Sequence, residues 1–137
     1  YIHGVIPEFF REERVERIFT DCDKLTYTKS MAERKTLMED DADAFIIAPG
    51  GIGTLEEFYE VITLKQLGRH SKALAMFNIG GYFDTLEKFM REMSEKDFMA
   101  QACHGMYRYF TDADELLDYL EGYSPSQESW RKLKNTN

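Results

Sequence analysis

The sequence predicts an α/β fold, a parallel sheet with helices on both faces, and three observations carry that prediction. Short runs of β-branched, aromatic and bulky apolar residues alternate with helical periodicity along the chain. These runs are nearly continuously apolar, Ala44-Phe45-Ile46-Ile47-Ala48 above all, as strands buried on both faces are. That same run leads into a glycine turn and then a helix, the arrangement that puts ligand sites at the carboxyl edge of a parallel sheet.

The elements follow in order. Strands are predicted at residues 2–6, 25–28, 44–48, 73–78 and 106–110. Ser30 and Glu33 form a capping-box pair, so a helix begins near Met31. A second helix runs from Thr54 to Leu67, with Leu55, Phe58, Tyr59, Val61, Ile62, Leu64 and Leu67 around most of its circumference. Such a helix needs cover on more than one side, from a second subunit or from the chain's own tail. Asp84 and Glu87 suggest another capping box, and Leu86, Phe89, Met90 and Met93 give the helix behind it one apolar face. The last helix spans residues 112–121, with Leu116, Leu117 and Leu120 inward and Gly122 as its stop.

With 137 residues, 43% of them hydrophobic, the chain suits one folded domain, here residues 1–123. The polar tail 124–137 is expected to be mobile, with Trp130 docking on the body. Seventeen Lys and Arg against 25 Asp and Glu give a net charge of −8, which disfavours a nucleic-acid partner. The longest solid apolar run, residues 44–48, is far short of the ~20 residues a membrane helix needs. Cys22 and Cys103 form no CxxC pair, and a reducing cytosol fits them best. No metal-ligand spacing links His3, His70 and His104. The chain opens at Tyr1 in a strand-like run and without Met, as a piece of a longer sequence would.

Two constellations carry candidate chemistry. The first is the turn Pro49-Gly50-Gly51-Ile52-Gly53-Thr54 with Glu56 and Glu57 behind it. Glycines let backbone N–H groups approach an anion, and a helix N-terminus adds donors and a positive dipole end. The turn is neither a Walker loop nor a GxGxxG fingerprint. Thr54-x-x-Glu57 also fits a capping box and Gly-Gly a plain tight turn, so the loop alone leaves structure and function both open. The second is Lys29-Ser30-Met31-Ala32-Glu33-Arg34-Lys35, where Met31, Arg34, Lys35 and Met38 share a helix face. Two cations there either lay their stems over the core edge or aim at phosphate and ribose oxygens.

Together, Met31-x-x-Arg34-Lys35 and Pro49-Gly50-Gly51-x-Gly53-Thr54-x-x-Glu57 resemble the LONELY GUY family of cytokinin-activating phosphoribohydrolases, long labelled possible lysine decarboxylases. The likeness continues through Gln66-Leu67-Gly68, the stretch from Asn78 to Phe83 and the helix ending at Tyr123. It implies a Rossmann-like three-layer fold, a homodimer or higher assembly, no metal or organic cofactor, and hydrolysis of the N-glycosidic bond of nucleoside 5′-monophosphates; with the cysteine reading, the expected place is cytoplasmic. Cytokinin riboside 5′-monophosphate or AMP would yield free base and ribose 5-phosphate; a non-catalytic nucleotide sensor or carrier is the alternative. The resemblance puts Arg34 and Glu57 at catalytic positions. It gives substrate contacts to Met31, Lys35, Gly50, Gly51, Ile52, Gly53, Thr54, Glu56 and Thr63. The family's N-terminal strand-helix portion, with a further glycine-rich segment, has no counterpart before Tyr1. Ala32 stands where the family often has His, and Arg14 where an acidic residue is frequent. Decarboxylation would need pyridoxal phosphate on a lysine, and no lysine stands in a recognisable cofactor context.

Overall fold

The computed structural model describes residues 1–13 and 18–125. Arg14 and Trp130 lie outside them, so the expectations at those positions have no structural counterpart. The chain forms two compact units, Tyr1–Ala42 and Asp43–Asn137. Both are built from parallel strands flanked by helices, the Rossmann-like α/β class the alternation predicts.

In the first unit β1 (His3–Pro7) pairs in parallel with β2 (Lys24–Thr28), Val5 opposite Thr26. Between them lies the short helix α1 (Glu8–Glu12), and α2 (Met31–Asp41) follows β2. The expected cap forms: Ser30 Oγ accepts from Glu33 N at 3.1 Å, while the Glu33 carboxylate reaches back to Lys29 N at 2.7 Å.

The second unit holds β3 (Ala44–Ile47), α3 (Ile52–Gln66), β4 (Ala73–Phe77), α4 (Asp84–Glu95), β5 (Arg108–Phe110) and α5 (Ala113–Glu121), with strand order β3-β4-β5. Side-chain alternation along β4 makes three layers. Leu74 and Met76 enter a core with Phe58, Val61 and Ile62 of α3 and Met90 of α4, whereas Ala75 packs on the other face with Phe110 and Leu116 of α5. Residues Ala73, Leu74, Ala75 and Met76 are all buried, as the central strand of a parallel sheet should be.

Several local expectations change. Residues 101–106, part of which read as strand, form 3₁₀ turns, and β5 starts only at Arg108. Phe83 takes the N-cap position of α4, so Asp84 falls inside the helix and Glu87 pairs with Arg91 instead of closing a box. Phe89 and Leu117, expected inward, are exposed. The apolar girdle of α3 is largely covered inside its own unit, with Phe58, Val61 and Ile62 buried and Leu55 and Tyr59 packed on that core. Leu67 is the exposed end of the girdle.

Candidate functional site

The parallel order of β3 and β4 brings the loops that leave them to the same sheet edge. After β3 the chain passes Pro49 and Gly50 and caps α3 with Gly51 in extended conformation, without any side-chain cap. The first backbone bond of the helix runs from Leu55 N to Gly51 O at 3.3 Å, so the N–H groups of Ile52, Gly53 and Thr54 precede the helical ladder. Gly51, Ile52 and Gly53 face solvent, Ile52 at 88% exposure. Exposed donors at the positive end of a 15-residue helix suit an anion.

The capping box that Thr54 and Glu57 could have made is not formed, because Gly51 holds the N-cap position. The helix starts two residues earlier, and Thr54 lies within its first turn. The Thr54 hydroxyl sits instead against Gly50, where any Cβ would collide with it, so Gly50 is a glycine for reasons of packing. At Gly51 and Gly53 a Cβ would meet nothing within 4 Å, so their backbone opens onto free space. Glu57 stands one turn beyond Gly53 on the same side of α3, and Cα–Cβ bonds lean toward a helix's N-terminus, which inclines its half-buried stem toward the turn. Glu56 and Thr63 are exposed on the same helix.

The second loop at this edge is tied by hydrogen bonds. Asn78, buried at the end of β4, donates through Nδ2 to Asp84 Oδ1 and accepts from Phe83 N through Oδ1, both at 2.7 Å. Gly81 has φ +74, and a Cβ there would lie 2.6 Å from Asp84 Oδ2. Tyr82, mounted on this turn, donates its hydroxyl to Gly50 O at 2.6 Å. The sequence marked Asp84 only as a helix cap and Asn78 and Tyr82 only as part of the resemblance, not as site residues, although the Gly80-Gly81 pair after a strand repeats the signal of Gly50-Gly51.

The predicted cations belong to the first unit. On α2, Arg34 and Lys35 are half-buried between the more exposed Met31 and Met38. The Arg34 Nε donates to Val5 O at 2.9 Å, which fixes the guanidinium plane against β1. A cleft of about 220 Å³ in this unit is lined by His3, Val5, Leu37, Met38, Asp41 and Ala42, and its carboxylate has the wrong sign for a phosphate.

The opposite edge of the three-stranded sheet holds Lys65, 1% exposed. Its ammonium donates to Lys72 O at 2.7 Å, Met106 O at 2.9 Å and the Tyr123 hydroxyl at 3.1 Å. Burial still lowers its pKa to about 8. Burial likewise pushes the Tyr107 hydroxyl up to about 12. An imine on Lys65 would leave its nitrogen at most one N–H and so break at least two of the three bonds, so this buried lysine does not fit a pyridoxal phosphate anchor. Among the described residues no group of three or more His, Cys, Asp and Glu side chains could hold a metal, and no helix is long and apolar enough to cross a membrane.

Parallel strands with intervening helices and a glycine turn at their carboxyl edge define a Rossmann-like α/β protein. Within that class, residues 1–120 match the family described as "Possible lysine decarboxylase", and the chain belongs to that family. It is 36% identical over 125 residues to a "Probable cytokinin riboside 5'-monophosphate phosphoribohydrolase" of Oryza sativa subsp. japonica, which covers 91% of this chain and 58% of the relative. A cytokinin riboside 5'-monophosphate phosphoribohydrolase of Arabidopsis thaliana is 37% identical over 131 residues, 94% of this chain and 59% of the relative. One of Mycobacterium marinum is 37% identical over 122 residues, 89% of this chain and 63% of the relative. The chain thus spans about three-fifths of the length of these relatives.

Proposed function

We propose that this chain carries the nucleotide site of a phosphoribohydrolase that cleaves the N-glycosidic bond of cytokinin riboside 5′-monophosphate, with AMP as a further substrate. The products are free base and ribose 5-phosphate. The observation that carries the reading is the glycine turn, whose open backbone at Gly51 and Gly53 leads into uncapped N–H groups of α3, in a chain whose relatives bear that activity in their names.

Cleavage of a ribosyl C–N bond builds positive charge on the sugar, as in glycoside hydrolysis. A carboxylate close to C1′ stabilises that charge and takes a proton from the attacking water; Glu57 has this role. Gly50, Gly51, Ile52, Gly53 and Thr54 hold the 5′-phosphate. Arg34 neutralises phosphate charge and fixes the ribose, so that binding energy away from the reacting bond positions it. Met31, Lys35, Glu56 and Thr63 complete the substrate contacts. The same reading has the enzyme acting in the cytoplasm and as a homodimer, the latter checked by sedimentation of the purified protein.

Incubation with AMP and with an N6-prenylated AMP, followed by chromatography for released base, tests the proposal. Glu57→Gln should keep the fold and lower turnover by roughly 10²–10⁴-fold. Turnover of that variant at the wild-type rate would remove Glu57 from the chemistry. Nucleotide binding without base release would instead favour a sensor or carrier.

A further inference from the structure

We infer that Tyr82 is a positioning residue for the phosphate-binding turn, acting through the Gly50–Gly51 peptide. The turn's ligand is taken from the proposed function; its geometry stands on the hydrogen bonds that follow. Tyr82 donates its hydroxyl to Gly50 O at 2.6 Å, although the two residues are 32 apart in sequence. No cis peptide bond occurs among the described residues, so Gly50 C=O and Gly51 N–H point to opposite sides of one planar unit. Holding the carbonyl on the Tyr82 side turns the Gly51 N–H away from it. Gly51 is solvent-facing, and a Cβ placed on it would have no neighbour within 4 Å.

The clamp is itself held. Tyr82 N bonds Ile79 O at 3.2 Å, and the Tyr82 ring meets the buried Phe83 edge-on with centroids 5.1 Å apart. Asn78 then locks Phe83 N and Asp84 by its two side-chain bonds. The Thr54 hydroxyl also closes on Gly50. The peptide between β3 and α3 is therefore fixed from the next strand's loop before any ligand arrives, which is how preorganised donors gain strength over flexible ones. At 55% exposure the ring itself adds little to the core, so its hydroxyl is what Tyr82 contributes.

Tyr82→Phe keeps the ring and removes the donor. Two titrations decide the matter: ribose 5-phosphate binding by calorimetry, and base release from the nucleoside monophosphate with KM and kcat separated. The variant should bind ribose 5-phosphate about 3- to 10-fold more weakly and show a KM raised by a similar factor. Its kcat should stay within about twofold and its Tm within about 2 °C of wild type. Unchanged ribose 5-phosphate affinity overturns the clamp and leaves the proposed function standing. A fall in kcat at constant KM, or loss of binding only together with a large fall in Tm, also overturns it. If wild type binds ribose 5-phosphate but releases no base, weaker binding by the variant supports the clamp while the catalytic reading fails. If wild type binds no ribose 5-phosphate, both fall together.

Discussion

The two edges of the β3-β4-β5 sheet treat their polar groups in opposite ways. At the amino edge, Lys65 is buried and hands all three N–H bonds to Lys72 O, Met106 O and Tyr123, tying α3 to the starts of β4 and β5 and to the chain after α5. At the carboxyl edge the polar groups are placed but not consumed. Tyr82 fixes the carbonyl of Gly50, yet Gly51, Ile52 and Gly53 face solvent. One edge is closed by internal hydrogen bonds and serves stability; the other is held around an opening, where the proposed function puts recognition. A buried donor without partners costs about 1–3 kcal/mol, so donors left without internal partners belong where water or a ligand can meet them.

The comparison can be broken most forcefully at the closed edge. Lys65→Ala should cost about 2 to 4 kcal/mol in urea denaturation, from the lost stem and two carbonyls left without their donor. A loss below about 0.5 kcal/mol would mean that the amino edge is not a latch. At the open edge, Gly50→Ala should cost about 1 to 3 kcal/mol, because the new methyl meets Thr54, whose branched side chain stands in the first turn of α3.

The pH dependence comes next in size. Lys65 has a pKa lowered to about 8 from an ordinary 10.5, so between those values the unfolded chain binds the extra proton. Stability contributed by this group therefore rises with pH across that window. The wild type should gain up to about 1 kcal/mol per pH unit over Lys65→Met between pH 8 and 10. A flat difference would place the ammonium in contact with water. The smallest effect sharpens the contrast. Gly53→Ala should change stability by no more than about 0.5 kcal/mol, since its methyl enters open space within a helix, yet it should weaken ribose 5-phosphate binding. Undiminished binding would move the ligand away from that surface.

Much of this was legible in the chain. The five strands appear within a few residues of their expected places because continuous apolar runs have few alternatives to burial. Ser30 and Glu33 form their box because both partners are local. The boxes at Thr54 and Asp84 do not form, because Gly51 and Phe83 take the cap positions and tertiary contacts claim the side chains: Thr54 lies against Gly50, and Asp84 accepts from Asn78. Lys65 completes the i, i+3, i+4, i+7 face of Phe58, Val61 and Ile62, a spacing that places it inward. What lets a charge stay there, however, is three acceptors that come from elsewhere in the chain.

By itself, the sequence determined the α/β alternation, the strand cores and the glycine turn at a helix start, because these rest on periodicity and on backbone freedom within a few residues. Only the tertiary structure decided that Tyr82 reaches Gly50, that the Lys65 ammonium finds Met106 O, and that Arg34 leans on Val5. Each of those is a hydrogen bond between residues distant in sequence, and its geometry exists only once the strands between them have paired.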